Sequence, residues 1–174
     1  VWLARAGLAG AMALAVAPFA LVIPVPELPA PSGPFAVGTQ IYRWVDASRD
    51  EPATKDPSDK RNVIAQAWYP AQAPGAKRSI YMDGLDNLPP SIVVLPSFVM
   101  ASYDRIDTHA TLDADISSEK LWPVVIFSPG FGAPRAFYTG LATEIASRGY
   151  VVLTLDHPYE SPVTQLADGS IATR

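Results

Sequence analysis

The strongest chemical signal in this chain is the run Ser128-Pro129-Gly130-Phe131-Gly132-Ala133-Pro134. It follows a short apolar stretch and precedes residues at helical spacing. Successive backbone N–H groups at a strand end, ahead of a helix N-terminus, can hold an anion through exposed donors and the positive helix end. A dinucleotide fingerprint needs a third glycine, and Arg135 stands at that position. No Lys-Ser/Thr pair of a P-loop follows. The functional reading left is an oxyanion hole, with Pro129, Gly130 and Gly132 shaping the loop. The plain reading is a tight strand-to-helix turn that needs glycine for its backbone. Spacing alone leaves both open.

Nucleophile candidates are poor. Ile126-Phe127-Ser128-Pro129-Gly130 loosely imitates G-x-S-x-G. The residue after an elbow serine donates its N–H to the oxyanion, and Pro129 has none. Ser128, standing before proline, is also pushed to extended geometry. Ser170 lies in Asp168-Gly169-Ser170 with no apolar strand before it. Asp156 and His157 are neighbours whose side chains diverge on an extended segment, so Asp156 is expected to brace the strand end and His157 to shape it. His109 has no visible acid or nucleophile partner and reads as a structural hydrogen-bonding residue.

The elements that must carry this loop are legible around it. Val124-Val125-Ile126-Phe127 is short and apolar, as suits a strand buried on both faces. Residues 135–148 have helical spacing, with Phe137, Leu141 and Ile145 beside Ala142 and Ala146 on one face. Gly149 is the expected stop. Residues 150–155 form the next strand. Strand, turn, helix and strand make a βαβ unit, expected to cross over right-handed into a parallel sheet. Asp156-His157-Pro158 then falls at the carboxyl edge, where open α/β sheets place ligands. Upstream, residues 35–45 and 63–69 read as an antiparallel pair across a polar loop, residues 46–62. Residues 91–100 fit strand or helix, and 108–112 read as part of an irregular connector.

Composition narrows the function. The 174 residues hold 13 basic and 17 acidic side chains, net −4, with no basic block to engage nucleic acid. Cysteine is absent, which removes disulfides and thiol chemistry. Two histidines do not make a histidine-rich metal site, so no metal or cofactor is expected. Residues 6–23 carry no charge and have about the length that spans a bilayer core of ~30 Å. Arg5 precedes them, which suits a cytoplasmic start. Residues 1–23 are therefore expected to form an apolar helix of transmembrane length, with the folded part extracytoplasmic. A cleaved leader with a secreted product is the alternative, although Pro18 after Ala15-Val16-Ala17 disfavours cleavage. The proline-dense stretch 24–34 is expected to be a stiff extended linker. Residues 35–174 are the folded part, and both ends of the chain read as cuts.

Taken together, Trp122 to Tyr138, the block Glu144 to Val152, Asp156-His-Pro-Tyr and the upstream Pro31-Ser-Gly-Pro-Phe, Trp44-Val-Asp and Ala67-Trp-Tyr-Pro resemble the platelet-activating-factor acetylhydrolase family. The resemblance implies an α/β-hydrolase fold and a serine esterase with a Ser-His-Asp triad and no metal. Short-acyl phospholipids or simple esters would be its substrates. The family loop reads F-S-H-G-x-G, so Phe131 takes the oxyanion-donor position and Pro129 stands where histidine is usual. Chain order in such folds puts serine, acid and histidine after this loop, beyond Arg174. The expectation is thus the N-terminal part of an α/β-hydrolase sheet that supplies an oxyanion donor and none of the triad. Two rivals stand beside it: a non-catalytic membrane-anchored module, and another hydrolase of the dienelactone-hydrolase type.

Overall fold

The computed structural model describes residues 5–7, 10–12, 25–88 and 102–174. The expected membrane helix and the ambiguous stretch 91–100 lie largely outside the described residues. Among the described residues, no helix is long and apolar enough to cross a membrane.

Alternating aromatic and β-branched side chains build β1, Val37–Asp50, which pairs antiparallel with β2, Lys60–Pro70. The expected hairpin forms but is longer than its apolar core. Its polar ends also pair, with Asp46 opposite Arg61 and Asp50 opposite Lys60. Lys60 pairs with Asp50 across the ladder, whereas Asp46 binds Ser48 and Arg49 on its own strand and Arg61 reaches Glu51, so polar residues expected to loop out are tied down within the hairpin.

The sheet is completed by β3 (Ala110–Leu112), β4 (Val124–Phe127) and β5 (Val151–Asp156), in the order β3-β1-β2-β5-β4. β3 runs parallel to β1, β5 antiparallel to β2, and β4 parallel to β5. β3 sits inside the stretch read as a connector: three residues are too few to show a period, and pairing with Val37–Thr39 makes them a strand. A separate ribbon joins β6 (Thr164–Gln165) to β7 (Ile171–Ala172).

β2 is central, and from Ile64 to Pro70 it is buried on both faces. Trp68 anchors the core with Val37, Ala110, Ala142, Ala146 and Val152, and its indole N–H donates to Thr154 Oγ1 at 3.1 Å. That bond satisfies the one polar atom a buried tryptophan brings with it.

The predicted helix 135–148 is a 3₁₀ turn, Arg135–Tyr138, followed by α1, Thr139–Ser147. Part of the expected face is buried: Ala142 and Ala146 lie in the core and Ile145 packs against it. Thr139, Ala142, Thr143, Ala146 and Ser147 face the sheet, whereas Phe137 and Leu141 are 62% and 48% exposed. Small side chains let the helix sit close on β2 and β5, with Ile145 packed against the core beside them. Gly149 ends the helix as expected, at φ +96°, its N–H bonded to Ala146 O.

Among the described residues β4 is last in the strand order, and Val124 and Ile126 are 60% and 70% exposed. Only Val125 and Phe127 face α1. An apolar run identifies a strand but not how many layers cover it.

Residues 25–34 form no helix or strand, yet their far end is docked on α1. The Ser32 N–H and hydroxyl both donate to the Glu144 carboxylate at 2.7 Å, and Arg148 Nε donates to the same carboxylate at 2.6 Å. The Ser32 N–H, then its hydroxyl, then Arg148 hold Glu144 down at about 2, from the usual 4.5. A lowered carboxylate stabilises the docked state above the unfolded pKa and ceases to do so as pH falls through the folded one. The Ser32 amide resonance is therefore expected to titrate with a midpoint near the folded value, about 2, well below 4.5. Glu144→Gln is expected to remove that titration.

Candidate active site

β4 delivers the chain to the glycine loop at the carboxyl edge of the sheet. There Ala133 N–H donates to Gly130 O at 3.0 Å, closing a four-residue turn. Gly132 is its third residue, at φ +79°. A type II turn has this pattern: it needs a left-handed third residue, which glycine supplies without strain, and it tolerates almost any second residue, here Phe131. The N–H groups of Gly130, Phe131 and Gly132 make no hydrogen bond among the described residues. The Phe131 ring is 70% exposed, with the Arg174 guanidinium 4.4 Å from its centroid.

The helix end expected directly behind this loop is displaced. Pro134 is extended, at φ −73° and ψ 153°, and α1 begins only at Thr139. The 3₁₀ turn Arg135–Tyr138 fills the gap, so the N-terminus of α1 does not directly follow the loop.

The loop is held from both sides by two consecutive residues at the end of β5. Asp156 accepts from the Arg135 backbone N–H at 2.8 Å and pairs with its guanidinium. Arg135 is itself buried. Its Nε donates to Gln66 Oε1 at 3.1 Å, and its remaining amine pairs with Asp83, which also pairs with Arg43. Burial pushes the Arg135 pKa down and the Asp83 carboxylate pulls it back up. Gln66 continues inward, donating to Thr39 Oγ1 at 3.0 Å. Asp156 thus braces the strand end, as the sequence suggested, with a partner that the sequence did not reveal. His157 does more than shape the chain: its Nε2 lies 2.8 Å from Ser128 Oγ.

The other expected residues lie apart. Ser170 donates to Asp168 Oδ1 at 2.7 Å, inside its own turn. His109 Nε2 meets Leu28 O at 3.0 Å, a structural contact between the proline-rich segment and the sheet. Sequence reasoning missed Arg135 and the Ser128–His157 pair. One signal for the pair was available: adjacent parallel strands place the residues just past their carboxyl ends side by side, and β4 and β5 are such strands.

A mixed sheet with a glycine turn at its carboxyl edge and a helix packed behind is consistent with an α/β-hydrolase architecture. The fold matches the ferulic acid esterase from Streptomyces cinnamoneus, with a TM-score of 0.68 and 34% identity, over 86% of this chain and 41% of that one. The chain belongs to the family described as platelet-activating factor acetylhydrolase, isoform II, whose model matches residues 24–168. It is 28% identical over 163 residues to the "Probable 1-alkyl-2-acetylglycerophosphocholine esterase" of Arthroderma benhamiae, covering 84% of this chain and 41% of that protein. It is 24% identical to the platelet-activating factor acetylhydrolase of Cavia porcellus, covering 77% of this chain and 29% of that protein. The chain therefore spans well under half the length of these relatives.

Proposed function

We propose that these residues are part of a serine carboxylic ester hydrolase that cleaves short acyl esters of phospholipids or similar small esters. Within it, residues 128–134 form the oxyanion loop. The observation that carries this reading is the unpartnered Phe131 N–H on a turn fixed at both ends, in a chain whose relatives are named as esterases. As a serine attacks an ester carbonyl, the oxygen gains charge. A donor already in place at that point needs no reorganisation, which is why such donors stabilise the transition state more than the ground state. The nucleophile, acid and histidine are assigned to residues following Arg174, and no metal takes part. Residues 1–23 are assigned as a membrane anchor that leaves the hydrolase part extracytoplasmic, on the strength of the uncharged stretch 6–23 behind Arg5.

The test is hydrolysis by the whole protein of p-nitrophenyl acetate and of a phospholipid carrying an sn-2 acetyl group. Turnover of both is expected, with none by the 174-residue chain alone. A whole protein that hydrolyses no short-acyl ester would refute the proposal.

A further inference from the structure

We infer that His157 is a positioning residue that latches the entry side of the glycine loop through Ser128, and so sets where the Phe131 N–H points. The inference rests on the esterase reading for its catalytic consequence but not for its structural one.

The loop leaves the sheet at Ser128 and rejoins the packed structure at Arg135. Asp156 grips the second point with two hydrogen bonds. Without another restraint, the first point would be held only by its peptide link to Phe127. His157 supplies that restraint, with Nε2 2.8 Å from Ser128 Oγ. One end of one strand therefore fixes both ends of the loop, and the turn Gly130–Ala133 lies between the two grips.

The segment after β5 is built to present the imidazole. His157 O accepts from the N–H groups of Glu160 at 3.1 Å and Ser161 at 2.9 Å, which folds the chain back on itself. Tyr159 sits in this turn at φ +66°, a left-handed conformation that an aromatic residue seldom adopts. Such strain persists only where the surroundings over-determine it. Ser161, 1% exposed, is directed at Ala133 O, 3.5 Å away, so the same turn also touches the loop beyond Gly132.

Ser128 and His157 resemble a nucleophile and base, but the details point to a latch. Pro129 has no N–H to meet an oxyanion formed on Ser128, and no carboxylate is bonded to His157 among the described residues. Asp156, its neighbour, is committed to Arg135.

The latch is tested in the whole protein by amide exchange over residues 128–136, together with ester hydrolysis. His157→Ala is expected to speed exchange of that peptide about tenfold, since local opening sets the rate. It is also expected to lower kcat on the order of 10- to 100-fold, with KM nearly unchanged, as misplacing a transition-state donor does. Ser128→Ala is expected to show the same pair of effects. His157→Gln, whose side-chain amide can reach Ser128 Oγ, is expected to restore both. Unchanged exchange in both alanine variants would overturn the latch. So would labelling of Ser128 by a fluorophosphonate, which would make it the nucleophile. If the wild-type protein hydrolyses no ester, the esterase reading fails and the exchange data still decide the latch.

Discussion

Phe131→Pro is expected to lower kcat for ester hydrolysis by on the order of 10²–10³, the usual effect of removing one oxyanion donor. The substitution deletes the Phe131 N–H and keeps the turn. Phe131 is the second residue of a turn whose third, Gly132, stands at φ +79°, and proline is favoured at that second position. The Ala133-to-Gly130 hydrogen bond does not involve the deleted group. Phe131→Ala is the control. It removes an exposed ring but keeps the N–H, so kcat is expected to stay within a few-fold of wild type. Steady-state kinetics of the whole protein on p-nitrophenyl acetate separates the two. Equal losses in both variants would place the role in the ring rather than in the backbone donor.

Arg135→Leu is expected to destabilise the protein by about 3–5 kcal/mol, because it leaves buried carboxylates without their counter-charge. Arg135 and Asp156 have side chains 5% and 1% exposed, so solvent does little to screen the loss. Asp83 retains Arg43, but Asp156 has no second cation among the described residues. Against a typical total of about 5–15 kcal/mol, such a loss is a large part of folding stability. Urea unfolding of the whole protein gives the value from the midpoint at constant slope. Arg135→Leu/Asp156→Leu is expected to recover part of the loss, since deleting both charges costs less than orphaning one. A single variant within about 1 kcal/mol of wild type, the worth of an exposed pair, would show that the network is solvated.

The hairpin of β1 and β2, the βα turn, the stop at Gly149 and the strand over residues 150–155 could all be read from the chain. Each rests on a short-range cause: alternation along a strand, a glycine where φ is positive, or a proline that cannot continue a helix. The misreadings share another origin. Val124 and Ile126 are apolar, as a strand covered on both faces requires, and among the described residues they are exposed with β4 last in the strand order. Phe137 and Leu141 share a helical stripe with Ala142, Ala146 and Ile145, yet only those last three pack into the core, where α1 lies close on the sheet.

The sequence by itself determined the loop: a proline without an N–H at 129, a glycine able to take φ +79° at 132, and between them an ordinary residue, Phe131, with a backbone donor to offer. Those properties belong to single residues and their immediate neighbours. Only the tertiary structure decided what holds the loop in place. Arg135 meets Asp156, Asp83 and Gln66 across 21, 52 and 69 positions, and Ser128 meets His157 across 29. Local periodicity carries no information about such separations. They are set by the strand order that brings β2, β5 and β4 side by side, and by a buried guanidinium that must find counter-charges wherever the sheet places them.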